Sequence, residues 1–249
     1  MTDNPPGRVR AALFDFGGTL DWPEHWLDRF LRHYRMAGVE LSRARLDLAY
    51  DYATRTAYHS LDTPRGDGLA RLVDYLVDLQ IMYLRGGQTV ASEHDHATVI
   101  ERGSALAHTI AASFVAESKA GLEYSAGVLK SLPPHLRLGV VSNFYGNLDR
   151  VLEEAGMAAR MEVVADSGKL GVYKPDARIF EAALRQLELP AETVVMVGDS
   201  LGKDCAPARR MGMRAVWLCT DSRQTDRDGV ADVTISSLGE LRSLRWWRA

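Results

Sequence analysis

From about residue 120 to the C-terminus, short apolar runs alternate with amphipathic stretches: RLGVVSN, GNLDRVLEEAGM, MEVVADS, PDARIFEAALRQLEL, TVVMVGDS, KDCAPARRMGM, RAVWLCT and ADVTIS, with one more helix expected at the end. Apolar β-branched strands separated by helices with one apolar face are the mark of βαβ units around a parallel sheet covered on both sides. An earlier run, RVRAALFDF, has the same strand character and joins that sheet. Between it and residue 120 the period changes. Trp26, Phe30, Leu31 and Tyr34 recur at helical spacing, with Pro23 suited to the first turn and Gly38 to the helix end. Ser42 caps a second helix carrying Leu46, Tyr50, Ala53 and Ala57 on one face, and two more helices are predicted near 67–85 and 92–118. The expected architecture is an α/β parallel-sheet core, residues 1–21 and 119–249, interrupted after its first strand by an all-helical insert over 22–118.

Composition narrows the class of partner. The 249 residues are 46% hydrophobic, enough for a sizeable core, and carry a net charge of −3 with the 30 Lys+Arg spread along the chain. Neither nucleic acid nor a membrane surface is an expected partner. No apolar stretch approaches the roughly 20 residues of a membrane span, and the opening MTDNPPGR has no signal-like apolar region. Cys205 and Cys219 lack metal-ligand spacing and read as reduced core residues, so a cytoplasmic location is expected.

The chemistry lies at strand ends. In open parallel sheets ligands bind beyond the carboxyl ends of the strands, near the point where the strand order reverses. Those ends carry Asp15 in LFDF, Ser142-Asn143 in VVSN and Asp199 in MVGDS, with Asp204 a turn later. Taken singly, a strand-end Asp is commonly a turn or cap residue and Lys174 a solvated lysine. Taken together and in order, they form a set. Three carboxylates on one edge repel unless a cation lies among them, and Mg²⁺ suits hard oxygen ligands that leave room for phosphate. An Asp so placed can also attack phosphorus. Lys174 would add fixed positive charge, while Ser142, Asn143 and the N–H groups of Gly17 and Gly18 would meet phosphate oxygens.

The motifs DFGGTL, VVSN, GVYKPDARIF and VGDSLGKD, in that order, resemble the four signature motifs of the haloacid dehalogenase (HAD) superfamily, over residues 8–21 and about 120–240. The resemblance implies a Rossmann-like core with a helical cap inserted after the first strand, a covalent aspartyl intermediate and Mg²⁺-dependent hydrolysis of a small phosphorylated metabolite. It makes Asp15 the nucleophile, Ser142 the phosphate-binding hydroxyl and Lys174 the charge stabiliser. Thr19 becomes a support of the first motif, grouped with Gly17, Gly18 and Asn143 around the phosphate. Asp15, Asp199, Asp204 and the carbonyl of Gly17 become the metal side.

One position departs from the pattern. Most HAD phosphatases have a second Asp two residues after the nucleophile to protonate the leaving group, and here that position is Gly17. General acid–base catalysis is typically worth 10²–10⁴-fold. The alternatives are therefore a catalytically weak domain that binds a phosphorylated ligand or protein, or dehalogenase- or phosphonatase-like chemistry. Dehalogenases of this superfamily lack the usual metal-binding acids, which this chain keeps. Phosphonatases use a cap lysine, whereas the first lysine here is Lys119. Six histidines (His25, His33, His59, His94, His96, His108) fall in the insert, and His25 and Asp21 are the candidates nearest in sequence for a replacement acid. The tail LRWWRA can dock on the core or serve a dimer, so both a monomer and a homodimer are expected states.

Overall fold

The computed structural model describes residues 8–86 and 93–247, with 93–104 as backbone alone, so the side chains of His94 and His96 lie outside the described residues. The chain forms two compact units, one of residues 1–24 and 120–249, the other of 25–119.

The first unit is a six-stranded parallel sheet: β1 (Ala11–Phe14), β2 (Arg137–Ser142), β3 (Val163–Asp166), β4 (Val194–Gly198), β5 (Arg214–Leu218) and β6 (Val233–Ile235). Its order is β3-β2-β1-β4-β5-β6, so the order reverses at β1, between β2 on one side and β4 on the other. This is the Rossmann-like α/β fold that the motifs imply. The central strands are buried on both faces, which is why they read as unbroken apolar runs.

The helix Ala177–Leu187 illustrates how sequence becomes packing. The Asp176 carboxylate accepts from the Arg178 N–H at its N-terminus, and Glu188, with φ of 49°, ends it in the left-handed region. Ile179, Phe180, Ala183 and Leu187 make one stripe, packed with Leu13, Val141, Ala165, Val194 and Met196. Truncating a buried phenylalanine such as Phe180 costs about 3–5 kcal/mol.

The second unit holds α1 (Trp26–Met36), α2 (Arg43–His59), α3 (Leu69–Leu84) and the first part of α4 (Glu93–Ser131). Ser42 caps α2 by accepting from the Arg45 N–H, and Gly38, at φ +78°, follows α1, as the sequence predicts. Three expectations need correction. α1 starts at Trp26, with the ring nitrogen Nδ1 of His25 accepting from the Leu27 N–H, so Pro23 precedes the helix. α4 continues to Ser131 rather than ending at 118, because residues 119–131 contain no breaker other than glycine. The last helix is instead two short 3₁₀ turns, Leu238–Ser243 and Arg245–Trp247, with a capping box at Ser237 and Glu240. The tail docks on the sheet unit: the Val9 N–H donates to the Trp246 carbonyl and Trp247 is buried.

α1 and α4 are joined by a buried charged cluster. Phe30 stacks on Phe114 at 4.3 Å, and the fully buried guanidinium of Arg29 lies 3.9 Å from the same ring. Arg29 also donates to Ser118 Oγ at 2.6 Å and to Glu117 at 3.0 Å, where Arg32 and His33 donate too. Burial would raise the Glu117 carboxyl, but hydrogen bonds from Arg32, His33 and Arg29 outweigh it and hold it at about 2. A carboxylate held below its ordinary value contributes stability that is complete above pH 4.5 and is lost as pH falls toward 2. Glu117→Gln is therefore expected to lose on the order of 3 kcal/mol in urea unfolding at neutral pH. The gap from wild type should narrow as pH falls from 4.5 toward 2, and a gap independent of pH would contradict this account.

Candidate active site

β1 delivers Asp15 to the carboxyl edge of the sheet, and the Asp15 N–H continues the ladder to the Val197 carbonyl. Its two oxygens have different surroundings. Oδ1 accepts from the Phe16 N–H at 2.7 Å, from Ser142 Oγ at 2.7 Å and from the Lys174 ammonium at 2.8 Å. Oδ2 has no partner among the described residues. Three donors on one oxygen fix the carboxylate plane and leave the second oxygen for chemistry.

Lys174, on the connection before the Ala177–Leu187 helix, is buried and also donates to Asp204 Oδ1 at 2.6 Å. Burial alone would depress its pKa, yet the carboxylates of Asp15 and Asp204 outweigh that and hold it above the ordinary lysine value. Asp204 Oδ2 accepts from the Ser200 N–H at 3.0 Å. Asp199 stands after β4, its carbonyl accepting from the indole N–H of Trp217 on β5 at 2.9 Å. Carboxylate oxygens of Asp15, Asp199 and Asp204 lie within 4.8 Å of one another. Burial, and then the charges of Asp15 and Asp204, push Asp199 well above the usual carboxylate range. Burial pushes Asp204 up as well, with Lys174 pulling it part of the way back. One ammonium among three carboxylates leaves an excess of negative charge that a divalent cation would relieve. The all-oxygen donor set and the unpartnered Oδ2 fit Mg²⁺.

Two glycines make this crowding possible. A Cβ on Gly18, at φ +83°, would sit 2.4 Å from Asp199 Oδ2, and one on Gly198 would sit 2.4 Å from the Asp204 carboxyl carbon. Glycine is needed at both for close approach, and at Gly18 for its backbone conformation too.

Several predicted residues stand in places the sequence did not disclose. The Gly18 N–H, expected on phosphate, donates to the fully buried Asp21 at 2.9 Å. Asp21 thus shapes the loop rather than standing free as an acid. The Gly17 N–H has no partner among the described residues. Thr19 is buried, its N–H bonded to the Phe16 carbonyl and its hydroxyl without a partner among the described residues. Asn143, expected on phosphate, bonds the Lys174 backbone twice: Nδ2 donates to the carbonyl at 3.0 Å and Oδ1 accepts from the N–H at 2.6 Å. It is a bracket for the lysine loop. His25 caps α1, and His33 belongs to the Glu117 cluster.

Asp166, which no motif marks, ends β3 and accepts from the N–H groups of Gly146, Leu148 and Gly168. It shapes the loop that follows Ser142 and Asn143. Its strand-end position in MEVVADS was the available signal. Trp217 had none, because its role depends on the neighbouring strand.

The family model for haloacid dehalogenase-like hydrolases matches residues 9–212. The chain belongs to this family. The hydrolase is 29% identical over 240 residues to haloacid dehalogenase-like hydrolase domain-containing protein 3 of Danio rerio, covering 94% of this chain and 95% of that one. It is 36% identical over 107 residues to a phosphoserine phosphatase of Thermus thermophilus, 43% of each chain. Among solved structures, the L-2-haloacid dehalogenase RSc1362 matches with a TM-score of 0.60 at 18% identity, over 97% of this chain and all of that one. This last likeness concerns the fold alone.

Gly18→Ala is expected to cost roughly 2 kcal/mol or more in chemical denaturation, from the left-handed backbone and the displaced Asp199. Gly202→Ala, where a Cβ meets nothing within 4 Å, is the control and should stay within about 0.5 kcal/mol of wild type. Equal effects at the two positions would contradict the close-approach reading.

Proposed function

We propose that this HAD-like hydrolase removes phosphate from a small phosphorylated metabolite through a phosphoaspartate on Asp15. The observation that carries the reading is the asymmetry of the Asp15 carboxylate, with Oδ1 held by three donors and Oδ2 unpartnered. Oδ2 attacks phosphorus, and Ser142, Lys174 and the Gly17 N–H are the proposed donors to the phosphoryl oxygens. The phosphatase relative supports phosphorus over carbon as the centre attacked. The retained pair Asp199 and Asp204 does so too.

Mg²⁺ is the proposed cofactor, held by Asp15, Asp199, Asp204 and the Gly17 carbonyl. When bound it would neutralise charge between the attacking carboxylate and the phosphate. We assign the helical insert, residues 22–118, as the cap domain that selects substrate. Both cysteines are unpaired, which agrees with a cytoplasmic enzyme. No helix among the described residues is long and apolar enough to cross a membrane. A monomer or homodimer with a small-molecule substrate and no nucleic-acid or membrane partner fits the net charge of −3.

Gly17 favours a second reading, a domain that binds a phosphorylated ligand or protein and turns it over negligibly. Phosphate release from sugar phosphates, nucleotides, phosphoglycolate and a good-leaving-group aryl phosphate, with Mg²⁺ or EDTA, separates the two. The hydrolase reading predicts turnover that EDTA abolishes and that Asp15→Asn lowers at least 10³-fold. Release equal to the Asp15→Asn background on every ester would favour the binding reading. Lys174→Met should lower turnover comparably, since it leaves buried Asp15 and Asp204 without their cation.

A further inference from the structure

Attack by Asp15 must end with a P–O bond breaking and the departing oxygen carrying away the electron pair. An ordinary alcohol leaves only if it receives a proton as it goes, and a positioned donor typically contributes 10²–10⁴-fold. Among the described residues of the sheet unit, the polar side chains that touch Asp15 or flank it in sequence are engaged, Thr19 excepted, and Asp199 and Asp204 are the proposed metal ligands. Ser142 donates its hydroxyl proton to Asp15 Oδ1, and Lys174 spans Asp15 and Asp204. Asn143 is bonded at both ends to the Lys174 backbone, and Asp21 is fully buried against the Gly18 N–H. Thr19 has a free hydroxyl, but it is buried and an aliphatic alcohol is no acid at neutral pH. Two residues beyond the attacking carboxylate, Gly17 has no side chain at all.

We propose that the substrate is a phosphoryl compound whose leaving oxygen departs unprotonated as a stabilised anion: an acyl phosphate, or a phosphate ester of an acidic phenol or enol. Its conjugate acid would have a pKa below about 7, so that no proton is needed at neutral pH. This rests on the Asp15 reading above. In the first step the Oδ2 lone pair forms the O–P bond, the P–O bond to the leaving group breaks, and carboxylate or phenolate leaves with the electron pair. In the second, water attacks the same phosphorus, the P–Oδ2 bond breaks, Asp15 is regenerated, and the water proton leaves on inorganic phosphate or to solvent. Gly17 offers no base for that water either, so the phosphoaspartate is expected to outlive leaving-group departure.

The test is rapid-mixing kinetics on the full chain with Mg²⁺, using aryl phosphates of graded phenol acidity, acetyl phosphate and glycerol phosphate. The expected result is a burst of one phenolate per enzyme followed by a slower phase common to all aryl esters. The burst rate should fall roughly tenfold per unit rise in phenol pKa. Glycerol phosphate should be at least 10²-fold slower, and Gly17→Asp should raise its turnover 10²–10⁴-fold. A shallow dependence, with glycerol phosphate cleaved as fast as the aryl esters by wild type, would overturn the proposal by showing that a proton donor is supplied. Phenolate release undiminished in Asp15→Asn would instead remove the Asp15 reading, and the proposal with it.

Discussion

The ammonium of Lys174 lies 2.8 Å from Asp15 and 2.6 Å from Asp204, with almost no access to water. Burying any one of these charges alone would cost several kcal/mol, so each is tolerable only because the others are there. The triad also ties together three connections that the sheet topology brings to one edge: the loop after β1, the turn after β4 and the segment before the Ala177–Leu187 helix. Asn143 adds the end of β2 by bracketing the Lys174 backbone. What appears in the sequence as four separate motifs is one hydrogen-bonded unit around a buried cation.

Sequence reading reached the parts of this unit that local pattern determines. Asp15, Ser142 and Asp199 each follow an apolar run, and a parallel sheet necessarily brings such positions to one edge. The cluster of Asp15, Asp199 and Asp204 and the strand character of every run are therefore visible before any coordinates. Partner choice within loops was less legible. Whether Gly18 offers its N–H to phosphate or to Asp21 depends on the path of a turn, and Asn143 meets Lys174 across 31 residues of sequence. Element ends behaved likewise. Pro23 and the final amphipathic stretch had the composition of helix, but a ring nitrogen of His25 and the docking of Trp247 set where regular structure begins and stops.

Family membership and chemistry come from different observations. The fold is shared with a haloacid dehalogenase at a TM-score of 0.60, so the fold does not choose between carbon and phosphorus. The choice comes from the site. Three close carboxylates suit a divalent metal, which in turn would suit a phosphate dianion. The single unpartnered oxygen of Asp15 suits nucleophilic attack, and the glycine two residues later bears on the leaving group rather than on the attack.

The covalent step is the central claim, and acid quenching of the protein within its first turnover of a phosphate ester, followed by peptide mapping, tests it most directly. The account predicts a mass gain of one phosphoryl group on the peptide containing Asp15, absent in Asp15→Asn and removed by mild base. Substrate turnover without that modified peptide, or with the phosphoryl group on any other residue, would contradict it.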